Sequence, residues 1–154
     1  MTKNFWLMKS EPEEFSIQDL KEVEKEPWGG VRNYQARNFI RDQIAIGDSV
    51  LLYYSSTKIP GVAGVMTVVS EPFPDPSQFD ESSSYFDSKA TQENPRWYAV
   101  NVKFEKEFDR FVPLSLMKQE NCLKEMIILK KGNRLSITPI SKEEFYHVLK
   151  MGKK

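Results

Sequence analysis

Apolar positions along the chain come either as short unbroken runs or at helical spacing, and the two patterns divide it into elements. Phe5-Trp6-Leu7-Met8, closed by Lys9-Ser10-Glu11-Pro12, predicts a short buried strand. Ser16 with Asp19 three residues on resembles a capping box, and the helix it starts is expected to reach about Lys25, with Pro27 closing it. Asn33 is placed to cap a second helix to about Asp42, with Ala36, Phe39 and Ile40 on one face and Tyr34, Arg37 and Arg41 on another. Gly47-Asp48 predicts a turn. Ser49 to Tyr54 is apolar on both faces and reads as a central strand. Gly61 to Val69 reads as a second buried strand, in which Gly61 and Gly64 mark a bulge or a close backbone approach. Arg96 to Phe104 alternates, with Tyr98, Val100, Val102 and Phe104 on one face and Trp97, Ala99, Asn101 and Lys103 on the other.

Between Ser70 and Pro95 the pattern lapses into prolines, serines and acidic residues, and an irregular segment of that length in a compact domain is often functional. Beyond Pro113 come two short helical patterns, Leu114 to Glu120 and Leu123 to Lys130. Lys131-Gly132-Asn133 turns into a last strand, Arg134 to Pro139. Ser141 and Glu144 then cap a terminal helix that turns Phe145, Val148 and Leu149 inward. There is no repeat, linker or low-complexity tract. Strands spread along the chain with helices inserted between them predict an α+β domain spanning residues 1–154, built on a curled mixed sheet or partial barrel. The lack of regular βαβ alternation argues against a Rossmann fold.

Composition narrows the functional classes. The 154 residues balance 22 Lys and Arg against 22 Asp and Glu, so the general basic surface of a polyanion binder is missing, though a local basic patch remains open. The single cysteine, Cys122, allows no internal disulfide and suits a reducing compartment. With no bilayer-length apolar run and no signal-peptide pattern, the expected setting is cytoplasmic, without a membrane partner.

Most catalytic chemistries lack their residues. His147 is the only histidine, on the terminal helix, so Ser-His-Asp and Cys-His arrangements would rest on it alone, and one Cys with one His cannot build the usual zinc site. Phosphate-binding Gly-Lys-Ser/Thr loops and dinucleotide fingerprints are absent. Glu11, Glu13 and Glu14 sit beside a helix start, where carboxylates favour the dipole. Lys9 and Ser10, adjacent on a strand, point to opposite faces and are better suited to pocket walls than to a Ser–Lys nucleophile. No metal or organic cofactor is implied.

What remains is Trp28-Gly29-Gly30-Val31-Arg32-Asn33-Tyr34-Gln35-Ala36-Arg37. Two glycines give backbone freedom and close access, Trp and Tyr give flat walls, Asn donates and accepts, and Arg brings a cationic fork. Together with Trp6, Lys9, Ser10, Tyr53, Ser55, Ser56 and Trp97 at strand ends, the set suits a planar hydrogen-bonding ring such as a nucleobase. Arg32, Arg37 and Arg41 would then lie near backbone phosphates, with the Asn33 helix N-terminus helping. Each aromatic could equally be core, Tyr53 above all, and Asn33 could read a base edge or only cap its helix.

These residues resemble a known family. Phe5 to Pro12, Trp28 to Arg37, Gly47-Asp48, Pro60-Gly61-Val62-Ala63-Gly64, Asn94-Pro95-Arg96-Trp97-Tyr98 and Arg134-Leu135-Ser136, in this order, are similar to the EVE domain and cover nearly the whole chain. The resemblance implies a PUA-like mixed β pseudo-barrel with inserted helices. It also implies a non-catalytic protein that reads a modified nucleobase, a cytosine derivative in DNA first, by flipping it into a pocket; a monomer is expected. That pocket would be lined by Lys9, Ser10, Trp28 to Tyr34 (Gly29, Val31, Arg32 and Asn33 among them), Tyr53 to Ser56, Trp97 and Arg134. The alternatives are a sensor of a free nucleobase-like heterocycle and a binding protein linked to RNA modification. An enzyme acting on the base has the least support.

Overall fold

The structure, a computed structural model, describes residues 3–154. Its centre is a parallel pair, β1 (Phe5–Ser10) beside β3 (Ser49–Tyr54), in register from Phe5 against Ser49 to Ser10 against Tyr54. A parallel pair needs a long crossover. Here it holds α1 (Ile17–Val23), β2 (Lys25–Trp28) and α2 (Tyr34–Asp42). Antiparallel strands extend the sheet on both sides: β4 (Gly61–Val68) on β3, the 16-residue β6 (Tyr98–Pro113) on β4, and β7 (Ile137–Ile140) on β1. The order is β2-β6-β4-β3-β1-β7, and the short β5 (Phe73–Pro74) also pairs with β6.

Both faces of this sheet are covered, which is why β3 reads as apolar throughout. Trp6, Met8, Val50, Leu52, Met66 and Val68 form one core with Ile17 and Leu20 of α1 and Ala36 and Ile40 of α2. The alternate residues, Phe5, Leu7, Leu51, Tyr53 and Val65, form a second core. It is closed by α3 (Leu114–Met117), the 3-10 turns Asn121–Leu123 and Ile127–Leu129, and α4 (Lys142–Met151). Both capping boxes form, Ser16 with Asp19 and Ser141 with Glu144. Asp48, buried in the predicted turn, accepts from the Trp6 indole and from the Asn4 and Ala45 N–H groups, and so ties β1 to the start of β3.

The expected bulge is present: Ala63 is extra on β4 opposite the Leu52/Tyr53 step, and β6 carries residues 108–111 out of the ladder opposite it. The predicted glycines are required there, because a Cβ on Gly61 or Gly64 would sit 2.2 or 2.3 Å from a β6 carbonyl oxygen.

Several boundaries differ from the sequence expectation: β1 runs on to Ser10, the helical pattern from Leu114 shortens to Leu114–Met117, and the one from Leu123 to Lys130 resolves into the 3-10 turn Ile127–Leu129. Helix α1 stops at Val23, where Glu24 turns to φ 69°, and Lys25 to Trp28 pair with β6 instead of extending the helix. This strand is polar because it lies at the sheet edge, and Pro27, which lacks an N–H, is tolerated there. Strand β6 runs on to Pro113, past the alternating stretch, because its second half pairs with β4. The last strand begins at Ile137, not at Arg134.

Candidate ligand-binding site

A cavity of 570 Å³, within the ~300–1,000 Å³ of small-molecule sites, opens beyond the carboxyl ends of β1 and β3. Strand ends bring Lys9, Ser10, Trp28 and Ser55 to it, and the 29–33 turn adds Gly29, Gly30, Val31, Arg32 and Asn33. Because the cavity lies past the strand end, both faces of β1 border it, and the adjacent Lys9 and Ser10 are both walls. Arg134 and Ser136, just ahead of β7, complete the ring.

The polar groups of this wall are unequally committed. Ser10 donates its hydroxyl to the Phe15 carbonyl. Asn33, which lines the cavity, uses Oδ1 to cap α2, accepting the Ala36 N–H at 3.0 Å, and its Nδ2 donors have no protein acceptor among the described residues. Of the three tryptophans, Trp6 donates to Asp48 and Trp97 to Asp87, while the Trp28 indole N–H has no protein acceptor among the described residues. Trp28 is half-buried, edge-on to Phe15 at 6.2 Å. Burial pushes the Lys9 ammonium below its ordinary pKa, so it is a cation whose charge would gain from an anionic or electron-rich neighbour.

Other expected contacts lie elsewhere. Tyr53 is buried in the second core, and burial raises its pKa. Tyr54 packs on the first core and its hydroxyl accepts the Ile17 N–H. Ser56 stands outside the cavity at φ 53°. Tyr34 and Trp97 stack on each other at 5.0 Å, with Arg37 and Arg96 over Tyr34 and Arg96 bonded to the Tyr34 hydroxyl. This cluster fastens α2 to the 70–97 segment and does not border the cavity.

The arginines expected on phosphates have protein partners. Arg41 pairs with Asp42. Arg37 donates to the Arg96 carbonyl and to Asn38. Arg32 matches each of its N–H groups: Nη1 to Val31 O and Asp75, Nε to Tyr85 O, and Nη2 to Tyr85 O and Ser77.

Asp75, Gln78 and Tyr85 were not singled out in the sequence, and they shape this side of the site. Asp75, 3% exposed, accepts from Gly30 N–H at 2.7 Å, from Ser77 and from Arg32. Burial alone would raise its carboxyl pKa, but these donors outweigh burial and hold it below the ordinary value. Gln78, fully buried, donates to the Asp75 and Trp97 carbonyls and accepts from the Arg96 and Trp97 N–H groups. Asp75 ahead of Pro76 was a legible helix-start signal, and it does cap the 3-10 turn Pro76–Phe79. Gln78 and Tyr85 had no local signal. Glu11, Glu14 and Glu26 also line the cavity, so its mouth carries mixed charge.

A curled mixed sheet of seven strands, covered by helices on both faces and holding a polar and aromatic recess at one end, defines a PUA-like domain. The chain belongs to the EVE domain family, whose model matches residues 4–151. It is 40% identical to human thymocyte nuclear protein 1 over 97% of this chain and 74% of that protein. Its structure is similar to that of the human THYN1 protein in complex with 5-methylcytosine-containing DNA, at TM-score 0.91 and 40% identity over 99% of each chain. It is also similar to a Pseudomonas syringae protein, at TM-score 0.92 and 43% identity over 96% of this chain and 99% of that one. Among the described residues no helix is long and apolar enough to cross a membrane.

Proposed function

We propose that this protein is a non-catalytic reader of a modified base, first of all a cytosine derivative in DNA, which it takes from the duplex into the cavity at the ends of β1 and β3. It would act as a monomer, and its single cysteine suits a cytoplasmic setting. The observation that carries this reading is the wall formed by Trp28 and Asn33. The Trp28 indole, with an uncommitted N–H, and Asn33, whose amide donors are not used by its helix cap, line the same cavity, and cytosine presents acceptors at O2 and N3. The solved complex of the human relative with 5-methylcytosine-containing DNA supports the choice of ligand. No pair of groups poised for acid–base work enters the reading.

Titration with duplexes containing or lacking a single 5-methylcytosine tests it. Trp28→Ala should weaken binding of the modified duplex about tenfold or more, the worth of a stacked base. Asn33→Asp keeps an acceptor for the cap but removes the amide donors, so it should weaken binding while leaving the melting temperature nearly unchanged. Equal affinity of the wild-type protein for both duplexes would overturn the reading.

A second reading is favoured by the engagement of Arg32, Arg37 and Arg41 within the protein: the cavity senses a free nucleobase-like heterocycle, and few phosphate contacts are needed. That reading predicts nucleoside binding as tight as duplex binding and independent of salt.

A further inference from the structure

The 75–97 segment contributes a wall to the cavity that no sequence motif announced. Tyr85 lines the cavity and is 44% exposed. Its phenol end rests on the backbone of Gly30: a Cβ there would lie 2.9 Å from Cζ and 3.0 Å from Cε2. Gly30 also has φ +74°, so the turn needs glycine both for its backbone and for the ring that covers it. Gly29 is filled in the same way, since its Cβ would lie 2.9 Å from the Asp75 carboxylate. The glycine pair therefore admits two side chains of this protein, Asp75 and Tyr85, at the edge of the recess.

Arg32 holds that arrangement. Its Nε and Nη2 donate as a fork to the Tyr85 carbonyl at 3.1 and 2.7 Å, and its guanidinium lies 5.4 Å from the Tyr85 ring centre. On the other side it is tied to Asp75 and Ser77. Its charge is offset by Asp75 and its donors are used, so it is poorly placed to bind a phosphate.

Resting on the base-reading function above, we propose that Tyr85 is a second aromatic contact for the bound base, and that Arg32 is the positioning residue that sets it there. A single Trp28 wall would leave one face of a planar ligand to solvent, whereas Tyr85, 44% exposed on the cavity lining, brings a further aromatic ring and a hydroxyl from a separate segment. Arg32 then acts on ligand affinity through the fork to the Tyr85 carbonyl. Lysine keeps the charge but cannot reproduce that fork.

Two probes test this: 5-methyl-2′-deoxycytidine as free nucleoside, and a duplex with one 5-methylcytosine, the latter across a salt series beside its unmodified counterpart. Tyr85→Ala, at an exposed position that should fold, is expected to lose about tenfold or more for both probes. Tyr85→Phe should keep most of the affinity. Arg32→Ala and Arg32→Lys should both weaken nucleoside and duplex alike, with the dependence of log K on log salt unchanged. If Arg32 instead contacts phosphate, Arg32→Ala leaves nucleoside binding intact and the slope falls by about 0.9; that result overturns the positioning role. Wild-type affinity of Tyr85→Ala for both probes, while the wild-type protein still prefers the modified duplex, overturns the Tyr85 contact alone. Loss of that preference in the wild-type protein overturns the base-reading function and this inference with it.

Discussion

Asp75 accepts a backbone N–H, two groups of Ser77 and the Arg32 guanidinium, although it is not among the residues that line the cavity. Its carboxyl is held below its ordinary pKa, so the folded protein binds this proton less readily than the unfolded chain. Its contribution to stability is therefore present above the unfolded carboxylate pKa of about 4 and fades as pH falls through the lower folded value. Urea unfolding from pH 6 to pH 3 should show wild type more stable than Asp75→Asn at the upper end, with the gap closing below about pH 4. A constant gap would mean that the carboxylate charge is not what holds Arg32. At this scale the sequence was half legible. Trp28 and Asn33 stood out because their chemistry is unusual for a turn. Asp75, Gln78 and Tyr85 did not, because their partners lie far off in the chain: Gly30 is 45 residues from Asp75, and the Tyr85 carbonyl is 53 residues from Arg32.

At the scale of elements, the tightest fit is the approach of β4 to β6. Gly64 has the Lys106 carbonyl where a Cβ would be, with Ile17 of α1 at 3.0 Å from the same point. Gly64→Ala should destabilise the fold by about 2 kcal/mol or more, since relief requires moving backbone as well as a packed side chain. Gly47→Ala meets no atom and is strained only by its φ of +95°, so it should cost less. Thermal melts of the two variants compare directly, and an equal or smaller loss for Gly64→Ala would mean that the approach of β4 to β6 relaxes to admit a methyl group. The glycines of β4 were legible as a bulge or close approach because glycine inside an apolar strand has few other uses. Strand β2 was not legible. A four-residue edge strand buries little and has no apolar period, and a proline inside it resembles a helix stop.

For the molecule as a whole, acidic and basic residues are equal in number, and Arg32 and Arg41 are paired with Asp75 and Asp42. Lys9 and Arg134 are the cations bordering the cavity besides Arg32. Duplex binding should thus show a shallow salt dependence, a slope of log K on log salt no steeper than about −2. A slope near −5 would require a basic surface that the fold does not present at this mouth. Selectivity would then come from the recess, and affinity would stay modest.

The sequence by itself determined the elements whose cause is local: both capping boxes, the Asn33 cap, the central β3 with its two apolar faces, the turn at Gly47, and the Trp28-to-Asn33 wall. It also carried the family, because the motifs recur in order along the chain. Tertiary structure decided what depends on long-range partners. It sent Tyr53 into the second core, stacked Trp97 on Tyr34 outside the recess, and spent the Arg32 donors on Tyr85, Ser77 and Asp75. An arginine beside a glycine pair reads the same whether it awaits a phosphate or fastens a segment 45 residues away. Only the fold brings that segment to it, and the buried Asp75 carboxylate, which pairs with no other cation among the described residues, binds it there.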